Sequence, residues 1–178
     1  MNISVSTIAI NALKEISMTN VDGTRNWSLS SEFEKAWLSI DNNEESKIPK
    51  VTKVIGDALG YLSKPSGVEI LISTLSNTNK NSTKHKVAMN AISTLKANDS
   101  IETVLVPSLI KYKDNEDTVK SIIGGLLSID SADSAIAILN YLDSIKASNP
   151  TYYELIKSKI LKSKNDEVKK VVAGWSNK

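Results

Sequence analysis

The sequence predicts an all-α fold, an α-solenoid of about four to five helical hairpins, and three observations carry that expectation. Apolar residues recur at three- and four-residue steps, the spacing of one helix face. The pattern returns after 33 and again after 67 residues. Glycine (7) and proline (4) are scarce and aromatics are only 5%, while Ile, Leu, Val and Ala supply the apolar side chains.

The clearest unit is VTKVIGDALGYLSKPSGVEILISTL, residues 51–75. Val51, Val54, Ile55, Ala58, Leu59 and Leu62 share one helix face. Lys64-Pro65 stops that helix, Ser66 is expected to cap the next with Glu69 closing a capping box, and Val68, Leu71, Ile72 and Leu75 form the second apolar face. A shift of 33 carries Ile55, Leu59, Leu62, Val68, Leu71 and Ile72 onto Ala88, Ile92, Leu95, Ile101, Val104 and Leu105. A shift of 67 reaches Ile122, Leu126, Ile129, Ala135, Ile138 and Leu139, with Leu75 falling on Leu142. A shift of 100 places Val168, Val171, Val172 and Trp175, and fits Ile156 and Ile160 only with one inserted residue, a degraded closing copy.

Upstream, Ala12, Leu13 and Ile16 match Ala58, Leu59 and Leu62, but the link to the next helix, around Ser31–Ile40, is longer and holds Asp22-Gly23. The chain therefore reads as one domain, 1–178, with an irregular N-terminal hairpin over 1–46 and regular repeats over 47–178. Asp99 with Glu102, Thr151 with Glu154 and Ser31 with Glu34 repeat the cap-x-x-Glu signature. Pro107 conflicts with a helix begun at Ser100: either that helix bends there or it begins there after a separate turn.

Composition bounds function. The formal charge is +2, and of 22 basic residues only Arg25 is an arginine, whereas phosphate and guanine recognition favour arginine's bidentate fork. There is no cysteine, so no thiolate site. The N-terminus MNISVSTIAINALKEISM lacks a basic leader region and no run approaches about 18 apolar residues. A soluble, cytoplasmic protein without membrane partner is expected, or a periplasmic one if a leader was removed.

DALGYLSKPSGVEILISTLSN and VPSLIKYKDNEDTVKSIIGGLLSID resemble the short HEAT-like repeats first associated with phycobilisome lyases, in which A-L-G-x-L and a loop precede V-x-x-L-x-x-x-L; Ala58-Leu59-Gly60-x-Leu62 and Val68, Leu71, Leu75 fit. The resemblance spans roughly residues 48–175 and implies a HEAT/armadillo-like superhelix. The family holds scaffolds, chromophore lyases and DNA-repair proteins, so it leaves function open. The groove of its DNA glycosylases carries tryptophans, a tyrosine, an aspartate and arginines; here Trp27, Trp37 and Trp175 are accompanied by Arg25 alone.

No catalytic constellation emerges, so a non-enzymatic protein without cofactor or metal is expected. The lone histidine, His85, sits between Lys84 and Lys86 and reads as a solvated surface residue. Gly124-Gly125 lies inside an apolar helix pattern, which suits close helix packing and not a phosphate cradle. Asp57 is bracketed by core positions and is expected at the solvent edge or capping a neighbour. Trp37, beside Phe33, Leu38 and Ile40, reads as core.

Charge placement guides the choice of partner. The second helices, near 66–77, 100–112 and 131–145, carry Glu69, Glu102, Asp133 and Asp143 against Lys111. Most lysines fall on the first helices and the ends (Lys47, Lys50, Lys53, Lys84, Lys86, Lys157, Lys159). That balance runs against nucleic acid and favours a protein or peptide on the second-helix face. Glu69, Ser73, Thr74, Glu102, Asn140 and Tyr141 are its candidate contacts. Arg25 and Trp27, in DGTRNWSLSS, and Tyr152 are further candidates, at least one of Tyr152 and Tyr153 being expected to point outward. The alternatives are nucleic-acid binding on the convex lysine side or C-terminal segment and, last, a HEAT-like lyase or glycosylase.

Overall fold

A computed structural model describes residues 25–40 and 49–176. Among them every regular element is helical: α1 (Ser30–Ser39), α2 (Pro49–Leu62), α3 (Pro65–Asn77), α4 (Thr83–Ile92), a mixed rod (Asn98–Lys111), α6 (Glu116–Ile129), α7 (Ala132–Ile145), α8 (Pro150–Ile160) and α9 (Asp166–Ser176). The rod ends in a short α-helix, α5 (Val106–Lys111). None of these helices is long and apolar enough to cross a membrane. The expected match around Ala12, Leu13 and Ile16, with Asp22-Gly23, lies outside the described residues.

Helix starts follow local chemistry, though not the chemistry read from the sequence. α3 opens at Pro65, whose missing N–H is no loss at a first position, after an extended Lys64 that gives no side-chain cap. Ser66 does not cap it. Its hydroxyl donates to Glu34 Oε1 at 2.7 Å, and Ser30 donates to the same oxygen at 2.8 Å. The Ser31, Asp99 and Thr151 caps are not formed either. Ser31 bonds its neighbour Glu32, Asp99 lies within a 3-10 turn lacking a side-chain cap, and α8 is capped by Asn149, which accepts from Tyr152 N–H at 3.1 Å. Further caps are Ser82 on α4, Asn115 on α6 and a Ser131–Ser134 capping box on α7; each accepts one of the N–H groups a helix start leaves unpaired.

The chain passes Pro107 without leaving helical space. It winds as a 3-10 turn over Asn98–Ser100, a π turn over Ile101–Leu105 and an α-helix from Val106. The Val106 N–H reaches back five residues to Ile101 O. The helix thus changes winding just before the proline, so neither a separate turn nor a break at Pro107 is needed.

The apolar positions picked out by periodicity form the core. Ile55, Leu59, Leu62, Val68, Leu71 and Ile72 are buried, as are Ala88, Ile92, Leu95, Ile101, Val104 and Leu105. So are Ile122, Leu126, Ala135, Ile138, Leu139 and Leu142, and Ile156, Ile160, Val168 and Val172 at the end. Ile129, Val171 and Trp175 are half-buried against them. Each fully buried leucine or isoleucine contributes about 1.5–3 kcal/mol relative to exposure.

The helices lie in two rows. α2 packs on α4 and α4 on α6; on the other side α1 packs on α3, α3 on the π turn, the π turn on α7, and α7 on α9. Long-range side-chain hydrogen bonds join helices far apart in sequence: Trp27 to Leu62 (35 residues apart), Trp37 to Thr74 (37), Ser100 to Ser63 (37), Ser163 to Asp130 (33) and Trp175 to Asp143 (32). Ser63 and Asp130 end α2 and α6 in the left-handed region, at φ 51° and 53°. Both offer a backbone carbonyl to a later part of the chain, Ser63 to the Ser100 hydroxyl at 2.7 Å and Asp130 to Asn165 Nδ2 at 2.6 Å.

Glycines bring the first row together. A Cβ on Gly60 of α2 would lie 2.7 Å from Ala91 O, and one on Gly125 of α6 would lie 2.5 Å from Ile92 O. The last carbonyls of α4 are therefore pressed between two glycines. Gly124-Gly125 is a close-packing pair, as its helical context suggested.

Candidate functional site

The second-row helices present two grooves, and they divide the expected contact residues between them. One, of about 550 Å³, runs between α3 and the rod and takes in Glu69, Ser73, Asn77, Thr103, Lys111 and Tyr112, with Leu38 of α1 at its end. The other, of about 720 Å³, lies between the rod and α7 and takes in Glu102, Ile110, Asp114, Ile136, Asn140 and Tyr141. Glu69 and Ser73 thus share one groove, and Glu102, Asn140 and Tyr141 the other.

Their side chains are only partly available. Ser73 Oγ accepts from Asn77 Nδ2 at 3.1 Å. Thr74 is buried, receiving Trp37 Nε1–H at 2.9 Å and donating to Ile70 O, so it is a core residue and offers no surface contact. Glu69, Glu102 and Asn140 are exposed. Tyr141 is half-buried, and burial pushes its phenol above the ordinary range, so the hydroxyl stays protonated and can donate. Asp143 accepts from Trp175 Nε1–H at 3.0 Å, which ties that carboxylate to α9. Asp133 remains exposed in the first turn of α7.

The apolar members of this face were not signalled by the helical pattern. Leu38 is 65%, Ile110 73% and Ile136 46% exposed, and all three line the grooves. Their signal was available as apolar residues lying off the core face, such as Ile136 between buried Ala135 and Ala137. Exposed large aliphatics grouped in concavities are more informative than scattered ones.

Arg25 and Trp27 come together, but their polar atoms serve the end of α2. Arg25 Nε donates to Tyr61 O at 2.7 Å with its guanidinium 5.5 Å from the Tyr61 ring. Trp27 Nε1–H donates to Leu62 O at 3.0 Å. These are carbonyls that a helix C-terminus leaves unpaired, and a cation there suits the helix dipole. Trp27 as a whole remains 36% exposed.

Tyr152 and Tyr153 depart from the expectation that one points outward: Tyr153 is buried and Tyr152 partly buried against the core. Burial raises the Tyr152 phenol, with Tyr141 and Glu116 adding to the rise. Tyr152 lines a small cleft between α6 and α8 beside Leu155 and Lys120 and lines neither of the two grooves. Tyr153 packs 6.4 Å from Trp175, with Lys157 Nζ within 6 Å of both rings.

His85 corrects the surface reading. It is 3% exposed, with Nδ1 3.3 Å from Thr78 Oγ1. Burial lowers its pKa, opposed by Asp117, and Lys80 lowers it further. Asp117 is held by Lys80 at 2.6 Å. Lys84 also moves from surface to interior: its ammonium donates to Ile40 O at 2.9 Å and lies 5.5 Å from the Trp37 ring, leaving the basic surface one charge poorer. Asp57 pairs with Lys53 one turn earlier on α2, at the solvent edge and without capping a neighbour. Among the described residues no three His, Asp or Glu side chains converge on a point that a metal could occupy.

No family model, curated protein or solved structure matches this chain.

Proposed function

We propose that this chain is a HEAT-like repeat module, folded as an α-solenoid, that binds a protein or peptide on its second-helix face and acts as a scaffold or adaptor without catalysis of its own. The solenoid reading is supported by hydrogen bonds that join residues one hairpin apart, and by two rows of helices in which each packs on its neighbour. Stacked hairpins of this kind bury jointly the faces no single hairpin can cover.

The binding reading rests on the grooves: exposed Leu38, Ile110 and Ile136 stand beside Glu69, Glu102 and Asn140 in two adjoining concavities. An apolar centre with a polar, partly acidic rim suits a protein surface and opposes a polyanion.

The test is affinity capture from a lysate of the source organism, with and without nuclease, comparing the intact chain with Glu69→Lys/Glu102→Lys and with Asn140→Ala/Tyr141→Ala. Asp143 is left unchanged because it holds Trp175. A nuclease-resistant protein retained by the intact chain and lost by both variants supports the reading. Nucleic acid captured equally by all three forms, with affinity falling steeply in salt, moves the function to the lysine-rich surface and overturns it.

A further inference from the structure

The groove between the rod and α7 limits what form a partner can take, and the inference drawn from it rests on the binding reading above. Its walls are helices, whose backbone N–H and C=O groups are paired internally. An extended segment would find no sheet edge to pair with, and its own backbone would be desolvated without compensation. A helical segment carries its backbone bonds with it and needs only side-chain complementarity.

The side chains on offer are aliphatic, neutral polar and charged. Ile110 and Ile136 reach into the groove from its opposite walls, 73% and 46% exposed, with Val106, Ala137 and Tyr141 also lining it. Asn140, Ser144 and Ser148 add neutral polar groups, and Glu102 and Asp114 add carboxylates, neither of which forms an ion pair among the described residues. Lys113 is the single cation of that lining. Two carboxylates against one ammonium give the groove a net negative charge beside its aliphatic side chains.

We propose that this groove takes an amphipathic α-helix whose apolar residues, at i, i+3, i+4 and i+7, seat on Ile110 and Ile136 while lysines or arginines on its edges meet Glu102 and Asp114. A cavity of about 720 Å³ falls in the range of side-chain and ligand pockets. Anchors at helical spacing are the known economy of helix-in-groove recognition. Opposite charges at the rim set preference among such helices more than they set total affinity.

The experiment uses the full chain labelled at isoleucine δ1 methyls and two synthetic peptides of about 18 residues, long enough for four to five turns. They share one leucine face and differ in carrying lysine or glutamate on the polar face. The lysine peptide is expected to shift the Ile110 and Ile136 methyl signals and to bind about tenfold more tightly than the glutamate peptide. Glu102→Lys/Asp114→Lys, both at exposed positions, is expected to reverse that preference. Equal affinity for the two peptides, or an unchanged preference in the variant, overturns the proposal. Shifts confined to Ile70 and Ile72 of the neighbouring groove overturn it while leaving second-helix binding intact. If neither peptide shifts any groove isoleucine, this inference falls alone where affinity capture still returns a partner lost by the variants, and falls together with the binding reading where it does not.

Discussion

Gly125→Ala tests the close approach of α6 to α4 most directly. In a helix interior alanine is favoured over glycine by about 1 kcal/mol, so in open space the substitution would stabilise. At Gly125 the new methyl would stand 2.5 Å from the Ile92 carbonyl oxygen and 3.2 Å from Leu95 Cδ1. A backbone oxygen cannot rotate away, so α6 must shift off α4, an overpacking penalty in the upper part of the usual range, about 2–3 kcal/mol. The expected net loss is about 1–2 kcal/mol, which lowers Tm by about 2–8 °C in a chain of this size. Gly174→Ala supplies the internal reference. Nothing lies within 4 Å of its would-be Cβ, so it should stabilise by about 0.5–1 kcal/mol. Gly60→Ala (2.7 Å from Ala91 O) and Gly124→Ala, where the nearest atom is the mobile Ser93 hydroxyl at 3.0 Å, fall between in that order. Thermal and urea midpoints of the four variants give the ranking. If Gly125→Ala is as stable as the natural chain while Gly174→Ala gains stability, the backbone contact between α4 and α6 is not there.

Two further outcomes follow from the same geometry. The folded-state pKa of His85 lies below its ordinary 6.5, so the unfolded chain binds the proton more readily; stability is fully present above about 6.5 and is lost as pH falls through the folded value. Tm measured from pH 7.5 to 5 should decline, and His85→Gln should flatten that decline; an equally steep curve in the variant would remove His85 as its source. Trp27→Phe keeps the ring but deletes the donor to Leu62 O, and should cost about 1 kcal/mol with capture of a groove partner unchanged. Loss of capture would make Trp27 a contact residue in its own right.

The core was legible because it depends mainly on spacing: Ala88 at the right helical step is buried as well as Ile55, and Ile129, Val171 and Trp175 at the same steps are at least half-buried. Caps were harder. Ser66 and Glu69 have the right separation, but Pro65 starts α3 one residue earlier, leaving Ser66 inside the helix with Glu34 within reach. His85 was misread from its neighbours. Lys84 and Lys86 flank it in sequence, yet adjacent residues on a helix point about 100° apart, so flanking charge says little about the ring. Lys84 itself is buried because its long apolar stem can lie over Trp37 while its ammonium finds Ile40 O. Of the grooves, the polar rim was legible from the placement of Glu69, Glu102, Asn140 and Tyr141. The apolar residues between were visible only as Ile110 and Ile136 lying off the core face, and they become a groove only when the rod and α7 are brought side by side.

The short reach of the side-chain hydrogen bonds bears on how the chain is made. Bonds that span 32–37 residues, and 44 in the case of Lys84 to Ile40, ask a nascent polypeptide to wait only for the next hairpin, so order can be laid down progressively from the N-terminal side during synthesis. A ribosome that has just released α7 has already supplied every partner needed by α2, α3 and α4 in these bonds. At that moment only the trailing hairpin, with Asp143 and Asp130 awaiting Trp175 and Ser163, would still expose an unclosed end to the cell.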